Sequence, residues 1–240
     1  MSKPLVAITG ASSGLGAAAA QAFAAAGHPL LLTARRLERL EALDLPNAVC
    51  RQNDVLDAAG YRAAVDEAEA AHGPVDLQIN NAGYMTLETV DKQTPEDFRR
   101  QFEVNCVGLL NTTNAVLPGM LARGGGTIIN LGSSAGRNIY PNHTAYCGTK
   151  HAVHAITEGL RRETAAAGVR VILISPGLVF TELLDNTESE TIKEGYRTYG
   201  EEIGGGLEAA DIAAAMLYAY QQPQRLCIWE MVVAPTGQLV

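Results

Sequence analysis

Leu5-Val6-Ala7-Ile8-Thr9-Gly10-Ala11-Ser12-Ser13-Gly14-Leu15-Gly16 opens as an apolar run of strand length and turns into a glycine-rich loop. An alanine-rich helical stretch follows to about Ala26 and stops at Gly27. Strand, glycine turn and helix in this order gather free backbone N–H groups and the positive end of a helix dipole at one point, and the glycines let the backbone approach an anion closely. A pyrophosphate is the expected guest. A phosphate loop of the other common kind ends in Gly-Lys-Ser/Thr, and Gly16-Ala17-Ala18 stands there instead.

Outward from this turn the same alternation repeats. Strand-like runs at Leu30–Ala34, Ala48–Gln52, Leu77–Asn80, Thr127–Leu131, Val169–Ile174 and Cys227–Val233 are separated by helical stretches. The helices are read at Arg36–Leu43, at Asp57–Ala71 with Asp57 as cap, at Thr94–Leu121, at Thr144–Ala167 and at Glu208–Tyr220. Thr94-Pro95-Glu96-Asp97 is a helix start: a capping threonine, proline at the first position and acids in the first turn. Val169–Ile174 is nearly all apolar, as a strand covered on both faces should be. The expected fold is α/β: a three-layer, doubly wound parallel sheet of about seven strands, with residues 1–240 forming a single domain. Residues 178–206 are long, polar and loosely helical, end in Gly204-Gly205-Gly206 and read as a substrate lid.

Composition narrows the functional classes. The chain has 240 residues, 47% hydrophobic and 18% charged, with a net charge of -8. That balance argues against a nucleic-acid surface or an anionic membrane as partner. Cys50, Cys106, Cys147 and Cys227 are far apart and form no Cys-x-x-Cys pair, so a reduced cytoplasmic protein without a metal site is expected. Met1-Ser2-Lys3-Pro4 runs straight into the first strand, which reads as no signal peptide, and no apolar run approaches the ~18 residues of a membrane span. Asn111-Thr112-Thr113 and Asn142-His143-Thr144 are read as chance glycosylation matches.

In such a sheet ligands bind at the carboxyl ends of the strands, and the unusual residues all follow strands. Arg35 and Arg36 stand where an acid would bind the ribose 2′-hydroxyl of NAD. Two guanidiniums suit a 2′-phosphate, which favours NADP. The competing reading has both arginines opening a solvated helix and pairing with Glu38 and Glu41. Tyr146 and Lys150, four positions apart, share one helix face. A phenol ionises near pH ~10, and a neighbouring ammonium lowers that value towards the range of acid–base catalysis. Ser133 is placed to hold a substrate oxygen beside the phenol. Asn105, amid apolar helix neighbours, must be hydrogen-bonded, or it opens the helix ladder and holds a water. His151 and His154 lack acidic or cysteine partners and read as ordinary helix residues; His143 reads as a cap or a solvent-facing residue.

Taken together, Thr9-Gly10-x-x-x-Gly14-x-Gly16, Asn80-Asn81-Ala82-Gly83, Asn105, Ser133, Tyr146-x-x-x-Lys150 and Pro176-Gly177 closely resemble the short-chain dehydrogenase/reductase family over nearly the whole chain. The spacing of Ser133 to Tyr146 fits the family and selects Ser133 over Ser134. Ala34-Arg35-Arg36-x-Glu38-Arg39-Leu40 and Val232-Val233-Ala234-Pro235-Thr236 resemble its NADP-using members related to bacterial serine and 3-hydroxy-acid dehydrogenases.

The resemblance implies a Rossmann fold, NADP(H) as cofactor and a small carbonyl or alcohol as substrate. It implies Tyr146 as acid/base, Lys150 on the nicotinamide ribose, Ser133 on the substrate oxygen and Asn105 holding a water of a proton relay. Gly10, Ser12, Ser13, Gly14, Leu15 and Gly16 would surround the pyrophosphate, Arg35 and Arg36 the 2′-phosphate, and Asp54 and Val55 the adenine. Asn81, Ala82 and Gly83 would lie near the adenosine ribose, and Pro176, Gly177, Val179 and Thr181 beside the nicotinamide. Family members commonly form tetramers through helices near 95–121 and 144–167, so a homotetramer is expected. A non-catalytic NADP(H)-binding sensor on the same fold is the competing function; a halide-releasing, epoxide-forming relative is opposed by Lys150 and the intact glycine motif. Tyr84, Met85, Arg137, Ile139, Tyr140, Leu183 and Tyr199 are candidates for the substrate pocket. The acidic lid (Glu182, Asp185, Glu188, Glu190, Glu194, Glu201 and Glu202 against Lys193 and Arg197) either attracts a cationic substrate or is simply solvated.

Overall fold

The computed structural model describes residues 3–239. The apolar runs become seven strands: β1 (Leu5–Thr9), β2 (Leu30–Ala34), β3 (Ala48–Gln52), β4 (Val75–Asn80), β5 (Gly126–Leu131), β6 (Val169–Pro176) and β7 (Glu230–Val233). They form one sheet in the order β3-β2-β1-β4-β5-β6-β7, every neighbouring pair parallel. Parallel neighbours need a crossover, and helices supply it on both faces. These are α1 (Gly14–Ala25), α2 (Leu37–Glu41), α3 (Ala58–His72), α4 (Pro95–Phe102), α5 (Leu109–Arg123), α6 (Thr144–Thr164), α7 (Glu190–Glu202) and α8 (Ala209–Gln221). The order reverses between β1 and β4, which places the ligand crevice at the carboxyl ends of these strands.

Alternate residues of each strand feed two cores. Val6, Ile8, Leu32 and Ile79 pack with Phe23 of α1 and Met216 of α8. Leu5, Ala7, Leu31 and Ile128 pack on the other face with Tyr61 and Val65 of α3 and Val116 of α5. No helix among the described residues is long and apolar enough to cross a membrane.

The predicted caps form. Asp57 accepts from Gly60 N at 2.9 Å, and Thr94 and Asp97 make a reciprocal capping box with Pro95 at the first position. Three expectations need correction. The helix read as continuous from Thr94 to Leu121 is interrupted by a π-helical turn, Glu103–Gly108, between α4 and α5. The last strand is shorter than Cys227–Val233; upstream of Glu230 it retains a bond from Leu173 N to Trp229 O of 3.1 Å. The lid is better ordered than its polarity suggests, with a 3₁₀ turn at Glu182–Asn186 and a regular α7 capped by Ser189, which accepts from Ile192 N at 3.4 Å. Its two ends are tied together: Leu207 N donates to Leu178 O at 2.9 Å, and Leu178 N donates to Gln238 Oε1 at 2.8 Å.

Candidate active site

One cavity of about 1320 Å³ runs along the carboxyl ends of β1 to β6. It exceeds the ~300–1,000 Å³ that holds a drug-sized molecule, and a dinucleotide plus a small substrate needs that length.

At one end lies the glycine turn. Gly10 has φ +66°, and a Cβ there would lie 2.8 Å from Ala82 Cα. A Cβ on Gly16 would lie 2.3 Å from the Gly10 carbonyl oxygen, so Gly16 sits beneath the cavity and lets α1 start directly under the loop. Asn81 and Thr9 lock this turn to the end of β4. Asn81 Nδ2 donates to Thr9 O and Gly10 O at 3.0 and 3.1 Å, and Thr9 Oγ1 accepts from Asn81 N and Ala82 N, both at 3.1 Å. Ser13 begins α1 without a side-chain cap bond, which leaves the first-turn N–H groups available to an anion. Glycines without room for a side chain, beneath free helix N–H groups, fit a pyrophosphate.

The guanidiniums come next. Arg36 Nη2 lies 3.3 Å from Ser13 Oγ, 3.5 Å from Ser12 Oγ and 3.0 Å from Glu182 Oε2. Arg39 Nη1 donates to both Glu182 oxygens at 2.7 and 2.9 Å. The arginines' carboxylate is thus Glu182 of the lid rather than Glu38 or Glu41. Arg35 is exposed, and its carbonyl accepts from Gln52 Nε2 at 3.1 Å. Asp54 Oδ1 accepts from Leu56 N at 3.0 Å, and Val55 packs under the cavity edge with its carbonyl bonded to Asn111 Nδ2 at 3.1 Å. Asn53 lines the cavity wall, and its buried Oδ1 has no partner among the described residues. Reading the sequence singled out neither Arg39 nor Arg100 as a wall residue. Arg39 carried a signal, being one helical turn beyond Arg36.

At the other end Ser133, Tyr146 and Lys150 line the same cavity. Tyr146 is 8% and Lys150 7% exposed. Lys150 Nζ donates to Leu131 O at 2.8 Å and stands 5.7 Å from the centre of the Tyr146 ring. Burial pushes the Lys150 ammonium down to about 8. Burial, with Tyr196 adding to it, drives the Tyr146 phenol above its ordinary value, while the Ser133 hydroxyl pulls it back. Desolvation sets the direction of the Tyr146 shift, and the Lys150 ammonium, expected to lower it, is directed at the Leu131 carbonyl. Ser133 Oγ accepts from Ala135 N at 3.1 Å, which leaves its proton for a substrate oxygen.

Asn105 answers both of its readings. It sits in the π-helical turn, so the ladder is open there. Its side chain is also hydrogen-bonded at both ends: Nδ2 donates to Tyr84 O (2.9 Å) and Thr149 Oγ1 (3.0 Å), and Oδ1 accepts from Tyr84 N (2.7 Å). Thr149 in turn donates to Tyr146 O at 2.8 Å. Asn105 lies behind the cavity wall and clamps Tyr84 to the helix that carries Tyr146.

Pro176, Gly177, Val179 and Thr181 border the cavity between its two ends. Gly177 is wedged against Ala234, its N–H bonded to Val233 O at 2.8 Å, and the Thr181 methyl covers Gly14.

Of the substrate-wall candidates, Tyr84, Met85, Tyr140, Leu183 and Tyr199 line the cavity. Arg137 is instead paired with Glu230, and Ile139 is 70% exposed. His143, Phe180 and Tyr196 also line it, although no motif marks them.

The family model described as short chain dehydrogenase matches residues 4–192. An uncharacterized oxidoreductase of Staphylococcus saprophyticus is 36% identical over 240 residues, which is 98% of this chain and 96% of that protein. A glycine betaine reductase of Emericella nidulans is 37% identical over 246 residues; the match takes in 99% of this chain but only 19% of that much longer protein. Among solved structures, the closed form of a serine dehydrogenase complexed with NADP+ is similar with a TM-score of 0.91 at 32% identity, over 98% of this chain and 96% of that one. Serine dehydrogenase from Escherichia coli has a TM-score of 0.84 at 30% identity, over 98% and 100%.

Proposed function

This oxidoreductase belongs to the short-chain dehydrogenase family, and from that premise we propose that it interconverts a small alcohol and its ketone or aldehyde with NADP(H). The observation that carries the reading is the meeting of buried Tyr146 and Lys150 with Ser133 in one cavity whose far end holds Arg36 and Arg39.

NADP(H), when bound, supplies or accepts the hydride. Ser12, Ser13 and the turn amides hold its pyrophosphate, and Arg36 and Arg39 its 2′-phosphate, with Arg35 at the outer edge. Asp54, Val55 and the Asn81–Gly83 turn enclose the adenosine. Lys150 holds the nicotinamide ribose. Tyr146 Oη gives its proton to the substrate oxygen in reduction and takes it back in oxidation. Ser133 Oγ donates a hydrogen bond to that oxygen and fixes its position. Asn105 acts through Tyr84 and Thr149 by setting where Tyr146 stands. Burial holds the phenol above its ordinary value, so Tyr146 stands as the proton donor that reduction uses.

Residues 178–206 close over the substrate. The names of two relatives point to serine and glycine betaine, both of which carry a positively charged nitrogen. The same reading includes a cytoplasmic location and a homotetramer built on the faces where Phe102, Val107 and Leu110 are exposed; a monomeric mass in light scattering contradicts the tetramer.

The test is a panel of small carbonyls and alcohols, followed by NADPH absorbance and repeated with NADH. Turnover with a preference for NADPH is expected. Tight NADPH binding without turnover of any compound contradicts the enzyme and favours a sensor.

A further inference from the structure

Resting on that reading, we propose that the rings of Tyr140, His143, Tyr196 and Phe180 form a subsite for a substituted-ammonium head on the substrate, beside the oxygen held by Tyr146 and Ser133. The rings form a continuous chain. The Tyr140 and His143 centroids are 5.7 Å apart with planes at 61°, those of His143 and Tyr196 6.2 Å apart at 22°, and those of Tyr196 and Phe180 6.4 Å apart at 76°. His143 also lies 6.3 Å from the Tyr146 ring, so the chain begins at the proton donor. All of these residues border the same cavity. A cation seated there comes within ~6 Å of more than one ring centre, the range over which a ring quadrupole attracts it.

The distribution of charge selects a cation over a carboxylate or a neutral apolar head. Arg36 and Arg39 are at the opposite end and are held by Glu182. Arg100 lies over the Tyr84 ring and 3.9 Å from Asp54. Lys150 is turned to Leu131 O, and Arg137, expected near the substrate, is drawn off to Glu230. Among the described residues that line the cavity at the ring end, none is a guanidinium; Arg197, next to Tyr196 on α7, is exposed and outside the lining. Burial holds His143 below its ordinary value, so its ring is neutral at pH 7 and does not repel a cation. Asp185 of the lid lines the cavity and brings negative charge to its rim.

The experiment compares betaine aldehyde, a trimethylammonium aldehyde, with its carbon isostere 3,3-dimethylbutanal, each reduced with NADPH. The two share one shape and differ in the charge of the head, and kcat/KM is referred to the free, unhydrated aldehyde in each case. Wild-type kcat/KM should favour the cation at least about fivefold, the scale of a partly desolvated cation–π contact. Tyr196→Leu should bring the ratio close to one, and Tyr196→Phe should keep it. A neutral isostere reduced as well as the cation, or a ratio unmoved by Tyr196→Leu, overturns the subsite. Reduction of other small carbonyls without either probe overturns the subsite and leaves the oxidoreductase reading standing. If no carbonyl is reduced at all, that reading fails and the subsite falls with it.

Discussion

A Cβ on Gly16, in the turn after β1, would lie 2.3 Å from the Gly10 carbonyl; a Cβ on Gly195, in the lid helix α7, would meet nothing within 4 Å. The two glycines stand for two kinds of construction around one cavity. The floor is joined through backbone and buried side chains: Asn81 to Thr9 and Gly10, Lys150 to Leu131, Asn105 to Tyr84. The lid is joined at its two ends by backbone contacts, over the arginines by Glu182, whose side chain is 45% exposed, and at the substrate end by Leu184, which packs with Met85, Leu87 and Tyr146, and by Thr187 Oγ1, which accepts from Leu87 N at 3.1 Å. Exposed ion pairs contribute about 0–1 kcal/mol each and are screened by salt. Glu182 can therefore give way to a 2′-phosphate, whereas the floor has no alternative packing. The contrast separates tasks: the floor fixes what reaction is possible, and the lid fixes what is admitted to it.

The largest expected effect is Gly16→Ala. Overpacking against the Gly10 carbonyl should weaken NADPH binding at least tenfold and lower the Tm by roughly 5–10 °C, the range set by overpacking costs in a chain of this size. Fluorescence titration and thermal melts check both, and a variant that binds and melts like wild type breaks the idea of a rigid floor. Arg36→Ala should raise KM for NADP by roughly 10–100-fold, the loss of a charge-assisted hydrogen bond, with little change for NAD. Arg35→Ala should do less, its side chain being exposed. Equal losses for both cofactors in steady-state kinetics would remove the 2′-phosphate role.

Lys150 sharpens the comparison through pH. Its value falls from 10.5 to about 8 on folding, so the unfolded chain binds more protons between those pH values and stability rises with pH across that window. Lys150→Met abolishes this dependence. The Tm of wild type relative to Lys150→Met should climb by about 5 °C between pH 8 and 10.5. A constant difference would show that Lys150 is not desolvated. The smallest effect is Gly195→Ala. With space for the methyl and a helical backbone, it should raise the Tm by about 1–3 °C, and a marked loss would show that the lid is packed like the floor.

The same division governs what the sequence made legible. The glycine turn, Ser133, Tyr146 and Lys150 are marked by short spacings on a strand–turn or a helix face, so local chemistry finds them. Glu182 reaches Arg36 across 146 positions, and nothing near either residue signals the pair. His143, Phe180 and Tyr196 meet only because the lid lands where it does. Asn105 could be recognised as a polar residue in an apolar helix, but its partners, Tyr84 and Thr149, lie 21 and 44 positions away. Lys150 beside Tyr146 is visible in the sequence, whereas the burial that raises the phenol is a property of the assembled fold.

Tyr146→Phe tests the central claim most directly, with NADPH-dependent reduction and the NADPH Kd measured on the same preparation. Removing only the phenolic oxygen should cut turnover by about 10²–10⁴-fold, the contribution of a positioned proton donor, and leave the Kd nearly unchanged. A Tyr146→Phe enzyme that keeps wild-type turnover would contradict the assignment of the proton to this phenol.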